Sequence, residues 1–243
     1  MNLKNRKILI TGGSRGIGKA IAQAFAGEGC HVAINYLTSE KLATDLSTEL
    51  RDQHGVTTVT IQADVSREND CQALVQKSIQ ALGGLDIVVS NAGNTKIAPF
   101  HDIFALSSSD WDYTFNTLVK SNIFLLQEAH ALFNSNPDGG CFLVMSSLAA
   151  LVTDGSSLAY SVSRAATNHL VRCLAKSQGP KIRVNGVCPG LTDTERILRE
   201  GYVEKSGLKR ITTTEDVAET FVFLAKNRGV TGECIRVDSG MAI

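Results

Sequence analysis

Tyr160 and Arg164 stand four residues apart in "YSVSR", so in a helix they share one face. A cation held beside a phenol lowers its pKa and makes it a usable proton donor or acceptor. The same spacing also serves plain surface packing, with the arginine laid along the ring. A second pattern able to do chemistry is "TGGSRGIG" at 11–18, between an apolar run and an amphipathic stretch. Gly12 permits a tight turn, Gly16 lets backbone approach a phosphate, and Gly18 lets helix and sheet pack closely. A helix opening there offers free N–H groups and a positive dipole end to a pyrophosphate. Ser14, Arg15 and Ile17 lie inside that turn.

The elements that must position these residues follow from apolar periodicity. Strands are predicted at 7–11, 31–35, 57–64, 85–91, 141–147, 182–190 and 234–238. Most are near-continuous in Val, Ile and Leu, as strands buried on both faces require. Helices are predicted near 16–28, 39–53, 67–82, 109–135, 158–178 and 214–227. Strand–helix alternation implies an α/β fold, a doubly wound parallel sheet of about seven strands with helices on both faces. The 243 residues read as a single domain, without repeats or linkers. Two stretches break the rhythm, 94–108 and 191–213. Each follows a strand, where ligands of open α/β sheets bind, so both read as substrate-side loops. Covering the core is their alternative role.

Bulk composition excludes several classes. There are 24 basic and 24 acidic residues, formal net charge is zero, and no basic stripe stands out; a nucleic-acid partner is not expected. No apolar run approaches the ~20 residues that span a bilayer, so no membrane partner is expected. The N-terminal segment lacks a signal-peptide pattern. Six scattered cysteines, with no C-x-x-C pair, read as reduced core thiols of an intracellular, cytoplasmic protein. The five histidines show no metal-ligand spacing, and no metal is expected.

The glycine spacing G-x-x-x-G-x-G, preceded by Thr11, resembles the first turn of the short-chain dehydrogenase/reductase family. The resemblance continues in order through "ADV" (63–65), "NAG" (91–93), Ser147 thirteen residues before Tyr160, "RVN" (183–185), "PGLTDT" (189–194) and "VDSG" (237–240). It covers essentially the whole chain. "INY" after the second strand looks most like the 3-oxoacyl-[acyl-carrier-protein] reductase branch. The resemblance implies a Rossmann-type nicotinamide site. Asp64 and Val65 would contact adenine. Asn91, Ala92 and Gly93 would support the sheet beside the cofactor. Pro189, Gly190, Thr192 and Thr194 would hold the nicotinamide.

An acidic residue ending the second strand selects NAD by bonding the ribose 2′-hydroxyl. Here neutral Asn35 and Tyr36 stand near that position, and Arg15 lies in the glycine turn. With Thr38 and Ser39 as donors, Arg15 can hold a 2′-phosphate, so NADP(H) is expected over NAD(H). The alternative for Arg15 is a solvated helix-start residue.

The resemblance makes Tyr160 the proton donor to a carbonyl, with Ser147 polarising the same oxygen. Two departures fall on the proton-relay side. The family's Y-x-x-x-K lysine is Arg164, which keeps the charge and can hold the nicotinamide ribose but cannot pass a proton. The family's helix Asn, seven residues after a Trp-Asp pair, is Leu118, with Trp111-Asp112 present. That Asn holds a relay water largely through its backbone carbonyl, which Leu118 also possesses. Asn116 faces elsewhere, and Asn122 shares the Leu118 face one turn on. The leading expectation is an NADP(H)-dependent carbonyl reductase or alcohol dehydrogenase acting on a small ketone or secondary alcohol. The alternatives are a redox-silent relative that binds NADP(H), and a structural protein with no cofactor. By resemblance the chain assembles as a homodimer or homotetramer.

Overall fold

The computed structural model describes residues 1–193 and 200–242. The strands are β1 (Lys7–Ile10), β2 (His31–Tyr36), β3 (Thr58–Gln62), β4 (Ile87–Ser90), β5 (Gly140–Met145), β6 (Ile182–Pro189) and β7 (Cys234–Val237). The helices are α1 (Gly16–Gly27), α2 (Glu40–His54), α3 (Glu68–Leu82), α4 (Ser108–Phe115), α5 (Ser121–Ser135), α6 (Leu158–Gln178), α7 (Glu200–Lys205) and α8 (Thr214–Lys226). The strands form one parallel sheet in the order β3-β2-β1-β4-β5-β6-β7. The direction of strand succession reverses between β1 and β4, so the chain's switch point lies where the glycine turn leaves β1.

Two apolar clusters cover the sheet. One packs α1, α2 and α8 through Ile21, Phe25, Leu46 and Phe221. The other packs α3, α5 and α6 through Leu74, Leu125, Phe133 and Val171. Every residue of β4 and β5 is buried, which accounts for their unbroken apolar sequences.

The long helix expected over 109–135 is interrupted. Between α4 and α5 the chain winds as a π-turn, Asn116–Lys120. A π-bulge shifts hydrogen bonding by one residue and frees carbonyls for other donors. The loop over 94–108 remains irregular, and its Ala98 N–H donates to the Ser156 carbonyl at 2.9 Å. The second loop contains α7, and Thr192 bridges to Thr212 across it.

Candidate active site

The first part of the site is the turn between β1 and α1. Gly12 and Gly16 have φ of +60° and +54°, a region that disfavours side chains. A Cβ on Gly18 would lie 2.2 Å from the Gly12 carbonyl oxygen and 2.6 Å from Asn91 Nδ2. One on Gly12 would lie 2.9 Å from Ala92 Cα. The turn is therefore packed at backbone distance against the end of β4. Asn91 Nδ2 donates to the Thr11 and Gly12 carbonyls at 2.9 and 3.1 Å. Thr11 Oγ1 accepts from the N–H groups of Asn91 and Ala92, both at 2.9 Å. No side chain caps the first turn of α1, so its N–H groups point outward as an anion cradle.

Asn35, expected among the cofactor-binding residues at the end of β2, turns its side chain inward. It is 2 % exposed, and its Oδ1 accepts from the Gly12 N–H at 3.0 Å. Its Nδ2 donates to the carbonyls of Tyr36, Ile61 and Ala63 at 3.1–3.3 Å. Asn35 thus ties the glycine turn to β2 and β3. The Tyr36 ring is likewise buried within the α1–α2 cluster. Around the end of β2, Arg15, Leu37, Thr38 and Glu40 are exposed and Ser39 is half-buried. Ser14 is buried and Ile17 half-buried at the start of α1. Val65 is buried, while the half-buried Asp64 accepts from the Ser66 N–H at 3.0 Å and lies 3.8 Å from Arg67.

The second part lies where β5, β6 and α6 meet. Ser147 follows β5 and caps a short 3₁₀ turn, Leu148–Ala150, its Oγ accepting from the Ala149 N–H at 3.2 Å. Tyr160 sits in the first turn of α6, capped by Ser157. Arg164, one turn on, is 5 % exposed, with its guanidinium carbon 5.1 Å from the Tyr160 ring centre. Its Nη1 donates to the Met145 carbonyl at 2.5 Å. A Cβ on Gly93 would lie 2.9 Å from Arg164 Nη2 and 3.4 Å from Leu118 Cδ2, so Gly93 leaves the space both occupy. A buried cation fixed to a strand carbonyl is not surface packing, and that alternative for "YSVSR" is set aside. Burial pushes the Tyr160 phenol up, but the Arg164 charge and hydrogen bonds to Ser147 and Arg164 outweigh it and hold the phenol below its ordinary value.

The Leu118 carbonyl accepts from Asn122 Nδ2 at 2.8 Å. The Thr167 hydroxyl lies 2.9 Å from it and 2.9 Å from the Ser163 carbonyl, and its one hydrogen serves one of them at a time. Thr167 was legible: Tyr160, Arg164 and Thr167 fall at i, i+4 and i+7, one helix face. The π-turn that offers Leu118 to Thr167 had no sequence signal. After β6, Pro189 leads to Gly190, whose N–H donates to the Val237 carbonyl at 2.9 Å. A Cβ there would lie 2.8 Å from Asp238 Cβ. Thr194 lies outside the described residues. Among the described residues, no cluster of metal ligands occurs and no helix is long and apolar enough to cross a membrane.

Comparison with known proteins gives this geometry its context. A family model described as enoyl-(acyl carrier protein) reductase matches residues 12–242. L-rhamnose 1-dehydrogenase (NAD(P)(+)) of Sphingomonas sp. (strain SKA58) is 32% identical, over 99% of this chain and 98% of its own. A short chain dehydrogenase of Burkholderia cenocepacia J2315, solved in complex with NADP, superposes with a TM-score of 0.91 at 30% identity, covering 100% of both chains. A 7α-hydroxysteroid dehydrogenase, solved with NADH and 7-oxo glycochenodeoxycholic acid, superposes with a TM-score of 0.89 at 30% identity, covering 98% of this chain and 96% of its own. The anion cradle at the switch point, the lowered tyrosine and the whole-length match lead to one conclusion: the chain belongs to the short-chain dehydrogenase/reductase family, in its 3-oxoacyl-[acyl-carrier-protein] reductase-like branch.

Proposed function

We propose that the protein is an NADP(H)-dependent oxidoreductase acting on a ketone or secondary alcohol. The observation that carries this reading is the buried Arg164 guanidinium against the Tyr160 ring, which holds the phenol below its ordinary value. The glycine turn fits a dinucleotide, because its positive-φ glycines and uncapped helix start leave N–H groups and space for a pyrophosphate. A bound NADP(H) would supply the hydride. Arg15, with Thr38 and Ser39, would hold the 2′-phosphate, and β2 itself ends in neutral Asn35 and Tyr36. Asp64 and Val65 would border adenine, and Asn91, Ala92 and Gly93 would floor the ribose side. Pro189, Gly190, Thr192 and Thr194 would wall the nicotinamide.

In reduction Tyr160 donates its proton to the carbonyl oxygen, which Ser147 also hydrogen-bonds. The phenolate left behind is held by the fixed Arg164 charge. In oxidation the phenolate takes the alcohol proton. Arg164 cannot pass a proton onward, and the Leu118 carbonyl already accepts from Asn122. Tyr160 therefore exchanges its proton through the substrate side of the cleft. The test is NADPH oxidation against activated ketones and 1,2-diketones. Native turnover should fall by about 10²–10⁴ in Tyr160→Phe. A native protein that binds NADPH yet reduces none of the panel would contradict the proposal.

Arg164 and Leu118 favour a second reading, a redox-silent relative that keeps NADP(H) as a ligand. Turnover gained only in Arg164→Lys would support it. We further propose a cytoplasmic homodimer or homotetramer. A groove lined by Leu208, Phe223 and Ile235 runs beside the edge strand β7, with Phe223 47% and Leu208 64% exposed. Light scattering should give a multiple of the 26.0 kDa chain; a monomer at micromolar concentration would count against it.

A further inference from the structure

Beneath the catalytic serine lie two thiols that this reaction does not use. Cys188 on β6 is buried, and Cys234 on β7 is half-buried. Cys234 pairs in register with Gly186, and Cys188 with Arg236. The cysteines are thus two positions apart on adjacent strands, with side chains on one face. That face is covered by α6. A Cβ on Gly186 would lie 3.6 Å from Val171 Cγ2, and Asn168 Nδ2 donates to Cys188 Sγ at 3.4 Å. Gly186 also leaves room for the neighbouring sulfur, since its Cβ would lie 2.9 Å from Cys234 Sγ. Cys234 Sγ therefore leans over β6 toward Cys188, whose Sγ also lies 3.5 Å from Asn168 Oδ1.

This approach of the two sulfurs, aided by Asn168, outweighs burial and pushes the Cys188 thiol down. It and burial push Cys234 up, with Arg172 and Glu233 as its charged neighbours. Burial instead pushes Cys30 and Cys71 up to about 12, which leaves them inert.

We propose that Cys188 and Cys234 form a peroxide-sensitive dithiol whose closure to a disulfide disables the nicotinamide side of the site. The oxidant is a hydroperoxide, entering past half-buried Cys234. The Cys188 thiolate attacks it, the O–O bond breaks, and an S–O bond forms as hydroxide leaves and takes up the proton. Cys234 sulfur then displaces that oxygen, an S–S bond forms, and a second water leaves. Two thiol hydrogens and two electrons are removed, and one hydrogen peroxide becomes two waters. Because the cysteines are out of register, the bridge draws β7 along β6. Gly190 is bonded to Val237 at the end of that strand pair, so the turn expected to hold nicotinamide shifts. This effect on turnover rests on the proposed function; the cross-link does not.

The experiment treats the full chain with hydrogen peroxide and maps disulfide-linked peptides by mass, alongside NADPH turnover. The expected result is a peptide joining Cys188 to Cys234, lighter by two hydrogens, and at least about a tenfold loss of turnover that dithiothreitol reverses. Cys234→Ser should abolish both, and Cys173→Ser neither. Gly186→Ala, whose Cβ takes the place of the Cys234 sulfur, should lower cross-link yield with both cysteines present. Oxidation confined to Cys173, or to sulfinic acid without the linked peptide, would overturn the proposal. Peptide mapping reads the dithiol even if the protein turns over no ketone, so failure here and failure of the proposed function are distinguishable.

Discussion

The glycine turn and the tyrosine pocket lie at the carboxyl ends of the strands but are built on different principles. In the turn, side chains hold backbone. Asn35, Asn91 and Thr11 all hydrogen-bond main-chain groups, and Gly18 packs where any Cβ would meet a carbonyl oxygen. In the tyrosine pocket, backbone holds side chains. The Met145 carbonyl fixes Arg164, and Gly93 clears its space. A site defined by steric contact tolerates no substitution at its glycines. One defined by a charge next to a phenol accepts a different cation, provided that the scaffold relocates it. The pocket has arginine in the lysine position and leucine in the asparagine position, while the turn departs nowhere from the pattern.

The comparison breaks most sharply at Gly18→Val. Overpacking against the Gly12 carbonyl costs about 1–3 kcal/mol, and NADPH affinity by fluorescence titration should weaken at least about tenfold. Unchanged affinity would show that the turn is not sterically defined. Next is Asn35→Ala, which leaves the Gly12 N–H and buried carbonyls unpaired, at about 1–3 kcal/mol. Urea unfolding should show the loss, and Asn35→Asp should destabilise rather than confer use of NADH. A switch to NADH would make Asn35 a ribose contact.

Thr167→Val removes the hydroxyl shared between the Leu118 and Ser163 carbonyls. It should cost about 1 kcal/mol in thermal unfolding and leave the glycine turn's NADPH affinity unchanged. The smallest effect lies outside both regions, at Arg210→Ala. The Arg210 hydrogen bond, with those from Thr213, holds the Asp216 carboxyl at about 2 against burial. Its stabilisation is present above the ordinary carboxylate range and lost as pH falls toward 2. The variant should be slightly less stable than the native protein at neutral pH and equal to it at the acid end. Urea unfolding at neutral and acid pH checks the sign.

Much of this was legible in the sequence because it depends on local rules. Near-continuous apolar runs marked all seven strands within two residues at either end. Glycine spacing marked the turn, and the i, i+4 spacing marked Tyr160 and Arg164. What stayed hidden depends on contacts between distant elements. Asn35 read only as a neutral strand-end residue, because that position shows nothing of which carbonyls its amide will meet. The π-turn at Asn116–Lys120 lies in a sequence with ordinary helical periodicity. The neighbouring thiols of Cys188 and Cys234 come from strands 46 residues apart in sequence that only the sheet brings together.

The decisive question is whether Arg164 acts as a fixed charge on Tyr160. It is answered by the pH dependence of alcohol oxidation with NADP, in the native protein and in Arg164→Met. Oxidation needs the phenolate, so the native rate should rise with pH through an ionisation below that of an ordinary phenol at about 10. Removing the guanidinium should move that rise to higher pH while NADPH still binds at the glycine turn. An identical profile in Arg164→Met would contradict the assignment and leave "YSVSR" without its chemistry.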